Sequence, residues 1–123
     1  MDMSYYLKIQ YTLKNEKYPF LNCWGLVCEF YKKEKGVQLD YFSEDDLFSI
    51  NSKYNDFRKN LKEIQKPQQG IIVAFFKNNI IKHVGILIDT ERVLHTDRMT
   101  KIQKLSEIVN TKKYSEVKYY DVV

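Results

Sequence analysis

The 123-residue sequence predicts an α+β fold in which helices come first and an antiparallel sheet follows. Two observations carry this. Up to Ile64 the apolar residues recur at helical spacing, and after Pro67-Gln68-Gln69-Gly70 they gather into short runs rich in β-branched and aromatic side chains. Length favours a single domain, residues 1–123, able to bury roughly two-thirds of the surface its unfolded chain exposes. With 44% hydrophobic and 29% charged residues and only four glycines and two prolines, the chain reads as folded rather than disordered. No repeat, linker or low-complexity segment divides it.

In chain order, the first expected element is a helix beginning at Cys23. Leu26, Val27, Phe30 and Tyr31 follow helical spacing, Lys32, Lys33 and Lys35 crowd the last turn where the dipole is negative, and Gly36 offers a left-handed stop. Leu47, Ile50, Tyr54, Phe57, Leu61 and Ile64 then alternate by threes and fours, which predicts a second helix. Ser43 and Asp46 are placed as its cap, and Pro67 stands beyond its end. Residues 71–76, 80–88 and 92–95 read as strands separated by Lys77-Asn78-Asn79 and Asp89-Thr90-Glu91, an antiparallel meander. A short helix or turn over 105–109 and a last strand over 116–122 complete the chain.

The net charge of +4 does not by itself name a partner. The lysines (Lys32, Lys33, Lys35, Lys59, Lys62, Lys66, Lys112, Lys113) are scattered instead of sharing one face, so nucleic acid is not the expected ligand. An anionic polymer such as a bacterial wall would use the same charge, and a solvated surface is the plain reading of any single lysine. Two cysteines cannot make a disulfide framework, and Cys23 and Cys28, five residues apart, are turned roughly 140° from one another on a helix. The opening Met1-Asp2-Met3-Ser4-Tyr5-Tyr6 lacks a basic segment followed by an apolar run. No stretch approaches the roughly 20 apolar residues that span a bilayer. The expectation is a protein made in the cytoplasm, with no export signal and no membrane insertion of its own.

Chemistry is carried by Cys23 and by the only two histidines, His83 and His95. A cysteine at a helix N-terminus meets unpaired N–H groups and the positive end of the dipole, which favour thiolate. Cys28, inside the helix, has the ordinary environment of a small buried hydrophobe. His83 interrupts an almost wholly apolar strand, where an unpartnered imidazole would cost a few kcal/mol, so it needs a partner. Alternation places His83, Gly85 and Leu87 on one face, so the missing side chain of Gly85 leaves room in front of His83. His95 ends the next strand, and a short turn would bring it beside His83. A thiol and two imidazoles in this order form a nucleophile, a base and an orienting group for covalent acyl transfer. Two unrelated histidines satisfied by backbone remain an alternative. So does a zinc site, although no HExxH or CxxC spacing supports one, and neither metal nor cofactor is expected.

Asn22-Cys23-Trp24-Gly25-Leu26-Val27 resembles the Asp-Cys-Trp/Ser-Gly-Leu-Val signature of the NlpC-type cell-wall cysteine peptidases, with Trp typical of their phage tail-assembly branch. Phe30-Tyr31 and Gly36-Val37-Gln38-Leu39 are similar to the same branch. Gln69-Gly70-Ile71-Ile72-Val73-Ala74-Phe75 resembles the family's Pro-Gly-Asp strand, and His83-Val84-Gly85-Ile86 and Val93-Leu94-His95 resemble its two histidine strands. The resemblance spans about residues 11–122. It implies a papain-like α+β fold, N-terminal helices packed on a C-terminal antiparallel sheet, with Cys23, His83 and His95 catalytic. It further implies an amidase or endopeptidase acting on peptidoglycan stem peptides, commonly at the D-glutamyl–diaminopimelate bond. The family's usual Asp before the cysteine is Asn22 here, and its Pro-Gly-Asp is Gln69-Gly70-Ile71, both supporting positions. An upstream tyrosine helping the oxyanion site corresponds best to Tyr11, with Tyr18 closer in sequence, while Trp24 and Gly85 are the expected substrate-binding positions.

Three functions follow as expectations. The first is a murein hydrolase at a phage tail tip, its targeting supplied by other tail proteins. The second is an antibacterial effector of the same chemistry, carried by a secretion apparatus. The third is a structural tail-assembly protein whose fold has outlasted its activity.

Overall fold

The computed structural model describes residues 1–14, 17–41 and 61–123. Their elements in order are α1 (Met3–Leu7), β1 (Gln10–Tyr11), β2 (Phe20–Leu21), α2 (Cys23–Phe30, continued as a π-helical turn over Tyr31–Lys35), β3 (Leu61–Ile64), β4 (Ile72–Lys77), β5 (Ile80–Leu87), β6 (Arg92–Asp97), β7 (Met99–Lys104), α3 (Leu105–Asn110) and β8 (Glu116–Val122). β3 to β8 form one six-stranded sheet in the order β3-β8-β4-β5-β6-β7, every neighbouring pair antiparallel. β1 and β2 make a separate two-stranded parallel ribbon.

The mixture of helix and antiparallel sheet agrees with the sequence, and so do most element positions. The helix begins at Cys23 and ends at Gly36, whose φ of 65° is the left-handed conformation that glycine adopts without strain. The β4–β5 turn falls on Asn78 and Asn79, both left-handed (φ 53° and 64°), the pair of positive φ values that a tight hairpin needs.

The second predicted helix lies outside the described residues over 42–60, and its last turn is corrected. Leu61–Ile64 is strand β3, hydrogen-bonded along β8 from Leu61↔Val122 to Ile64↔Tyr119. A spacing of three fits one helical face, but on a strand it puts the two side chains on opposite faces. Here both faces are apolar: Leu61 joins the cluster beneath α2, and Ile64 packs on the cluster behind the sheet. Burial of Leu61 and part-burial of Ile64, with the ladder to β8, override the helical spacing.

The core has two layers. On one face Leu26, Val27 and Phe30 of α2 meet Ile72, Ala74, Phe76, Val84, Ile86 and Leu94. Complete burial of side chains of this size stabilises the fold by about 1.5–3 kcal/mol each. The other face carries Val73, Phe75, Leu87 and Val93, covered by Ile108 of α3. Tyrosines pin α1 to the far end of α2, Tyr5 donating to Glu29 and Tyr6 to Glu34. The β5–β6 ladder is short: paired at Ile86↔Leu94 and Leu87↔Val93, it does not run on to His83 or His95.

Candidate active site

Cys23 is the first residue of α2, 1% exposed, with the positive end of the helix dipole at its backbone. Asn22 fixes that position. It has extended backbone, its Oδ1 accepts from Gly25 N–H at 2.7 Å, and its carbonyl accepts from Leu26 N–H at 3.0 Å. The Asn22 amide also donates toward the Tyr41 hydroxyl at 3.3 Å. Asparagine caps a helix as well as aspartate does, so the departure from aspartate keeps the geometry. Asn22→Ala is expected to lower stability by about 1–2 kcal/mol, since it removes the cap and strands the buried Gly25 N–H, whereas Asn22→Asp retains the cap. Urea unfolding of the three proteins measures this, and an alanine variant as stable as wild type would refute the capping role.

The two histidines meet. His83 Nε2 lies 2.8 Å from His95 Nδ1, a hydrogen bond between residues on neighbouring strands, and both side chains are buried (5% and 4% exposed). His95 Nε2 in turn lies 3.0 Å from Gln103 Oε1 on β7. The His83 ring is flanked by Phe75, with ring centres 5.8 Å apart, and by Tyr114, nearly parallel to it at 6.3 Å. Burial holds His83 well below the ordinary imidazole range, and His95 and the lysines Lys113 and Lys101 add to this against the pull of Asp97. His95 is lowered as well, chiefly by burial, with the Gln103 hydrogen bond opposing. Both rings are therefore neutral at pH 7. A cavity of about 120 Å³ opens on the pair, lined also by Asp97, Lys101, Gln103 and Tyr114.

Tyr114 stands beside this pair. Its ring lies against His83, and its phenol is pushed up to about 12 by burial first, then by Asp97 and Cys23. Neither Gln103 nor Tyr114 was singled out from the sequence. β7 has only Met99 and Ile102 as apolar residues in Met99–Lys104, so it does not read as a strand. The turn that makes it one rests on Arg98 at a φ of 68°. Given that turn, alternation alone puts Lys101 and Gln103 on the face of His95.

The supporting positions divide. Tyr11 pairs with Leu21 in the β1–β2 ribbon, and Thr12 N–H donates to Leu21 carbonyl at 3.1 Å, so β1 runs beside the residues that lead into Cys23. Tyr18 is committed elsewhere, stacked on Tyr5 and donating to its carbonyl at 2.6 Å. Trp24, expected at a substrate-binding position, is 2% exposed, and its indole N–H donates to Asp40 carbonyl at 2.8 Å. The room expected in front of His83 from the missing side chain of Gly85 is taken by β6, where an added Cβ would lie 2.7 Å from Val93 Cγ1, 3.0 Å from Leu94 carbonyl oxygen and 3.1 Å from His95 Cβ. Glycine here lets β6 approach closely enough for the histidines to bond. Cys28 is partly buried, and its thiol is pushed up to about 12 by burial, then by Asp40 and Glu29, the opposite of an activated nucleophile.

Among the described residues no three or more His, Cys, Asp or Glu side chains are grouped to hold a metal ion. The histidine nitrogens that face each other are bonded to each other, which is not the disposition of two zinc ligands. Among the same residues no helix is long and apolar enough to cross a membrane. Residues 9–121 match the model of the NlpC/P60 family. None of the curated proteins matches the chain.

Proposed function

The chain belongs to the NlpC/P60 family, and from that premise we propose that it is a papain-like cysteine peptidase or amidase that opens amide bonds in peptidoglycan stem peptides. The observation that supports this best is the 2.8 Å bond between His83 and His95, an imidazole oriented by a second imidazole, in a chain whose Cys23 starts a capped helix. The Cys23 sulfur attacks the amide carbonyl carbon, its proton passes to His83 Nδ1, and the carbonyl π pair moves onto oxygen. The Cys23 backbone N–H and the Tyr11 hydroxyl would hold that oxyanion. When the oxygen's pair returns, the C–N bond breaks and His83 gives the proton to the leaving amine. Water then attacks the thioester, losing a proton to His83. The C–S bond breaks, the acid leaves, and the thiol is restored.

Because burial disfavours a second proton on His83, its ring is a neutral imidazole able to accept one. The Trp beside the nucleophile and the Phe30–Leu39 segment support the phage tail branch. In that setting the protein acts at the tail tip on the wall met during entry. Partner proteins supply the targeting. Digestion of purified muropeptides followed by mass spectrometry tests the reading. Wild type is expected to release stem-peptide fragments and Cys23→Ala none. Equal digestion by both removes the enzyme, and no product from either leaves a structural tail protein.

A further inference from the structure

The geometry points to Gln103 as the positioning residue that fixes the proton on both histidines and so decides which nitrogen of His83 can act as the base. The inference rests on the peptidase reading for its consequence and on the hydrogen-bond chain for its substance. An amide oxygen carries only lone pairs, so the 3.0 Å contact of Gln103 Oε1 requires a proton on His95 Nε2. A neutral imidazole has one N–H. His95 Nδ1 is then a lone pair, and the 2.8 Å contact takes its proton from His83 Nε2. What remains on His83 is Nδ1, unprotonated and able to accept a thiol proton.

The opposite polarity disables the site. If His95 carried its proton on Nδ1, it would donate to His83 Nε2, and the His83 proton would move to Nδ1, where the base is needed. Nothing in the histidine pair chooses between these two arrangements, since each makes one good hydrogen bond. The choice comes from β7. Its register sets Lys101 across from His95 and Gln103 across from Val93, so Gln103 reaches His95 along the diagonal of the same face. A lysine at position 101 opposes a second proton on His95, which keeps that ring to a single N–H.

The test is direct because the chain has only two histidines and hence four ring nitrogens. A long-range ¹H–¹⁵N spectrum of the full-length protein at pH 7.5 is expected to show both rings as Nε2–H tautomers. A His95 that carries its proton on Nδ1 overturns the proposal. Gln103→Leu removes the acceptor and is expected to redistribute the His95 proton between the two nitrogens and lower kcat about tenfold to a hundredfold, with KM little changed. Gln103→Glu keeps an acceptor oxygen and should restore both the tautomer and most of kcat. An unchanged His95 tautomer in Gln103→Leu overturns the assignment, as does failure of Gln103→Glu to rescue a well-folded protein. The tautomers are read without substrate. A wild type that shows the stated tautomers but digests nothing therefore disproves the peptidase and leaves the proton chain standing.

Discussion

Replacing His83 with alanine is expected to slow stem-peptide cleavage by about 10²- to 10⁴-fold, the usual worth of a positioned general base. The reason lies in how His83 is held. A ring 5% exposed, bonded through Nε2 and kept neutral by its surroundings, is not a surface charge that water can replace. The same burial gives a second readout. In the unfolded chain the imidazole takes a proton near its ordinary pKa of about 6.5, while in the fold protonation is resisted. The unfolded state therefore binds more protons below that pH, and stability, full above about 6.5, is lost as pH falls from there toward the depressed folded value. His95, shifted the same way, adds to the slope. Wild type should lose thermal stability between pH 7 and pH 5, and His83→Ala should lose less over that interval, whatever its absolute stability. A variant that cleaves at the wild-type rate would remove His83 from the chemistry, and an equally steep acid limb would remove it from the pH response.

Gly85→Ala should have the largest effect on the fold for the smallest change in the sequence. A new Cβ 2.7 Å from Val93 Cγ1 is inside van der Waals contact, and the Leu94 carbonyl oxygen at 3.0 Å cannot rotate away as a side chain can. β6 must move outward or the clash must be absorbed as strain, at a cost of about 1–3 kcal/mol for overpacking of this kind. The third close atom is His95 Cβ, so the same movement draws His95 from His83. A misplacement of about 1 Å in such a site can cost about a hundredfold in rate. Denaturant midpoints and kcat should fall together. Retention of both by Gly85→Ala would show that β6 has room the distances do not allow.

What the sequence made legible was whatever depended on one element at a time. The helix start at Cys23 and its stop at Gly36 are local signals, and both lie where the pattern put them. The strands that carry His83 and His95 announce themselves by their apolar neighbours. What escaped depended on relations between elements. Leu61 and Ile64 fit one helical face until the sheet supplied two apolar faces for them. β7 is a polar edge strand recognisable only from its pairing with β6. Gln103 and Tyr114 are ordinary residues in sequence, and their significance comes from register and from the return of the chain after α3. The burial of Trp24 and the close approach of β6 at Gly85 escaped too, because proximity to a reactive residue in sequence says nothing about which way a side chain is buried.

The short ladder between β5 and β6 has a consequence for how this fold could be improved. Backbone pairing recorded at Leu87 and Ile86 is not carried on to the histidines, and there the two strands are joined through side chains. Extending the ladder would add backbone bonds but shift the rings and the cavity that opens on them. Selection for thermostability alone should therefore press on this fork, and selection for activity should hold it open. The end of the β5–β6 ladder is where the two demands on the sequence meet.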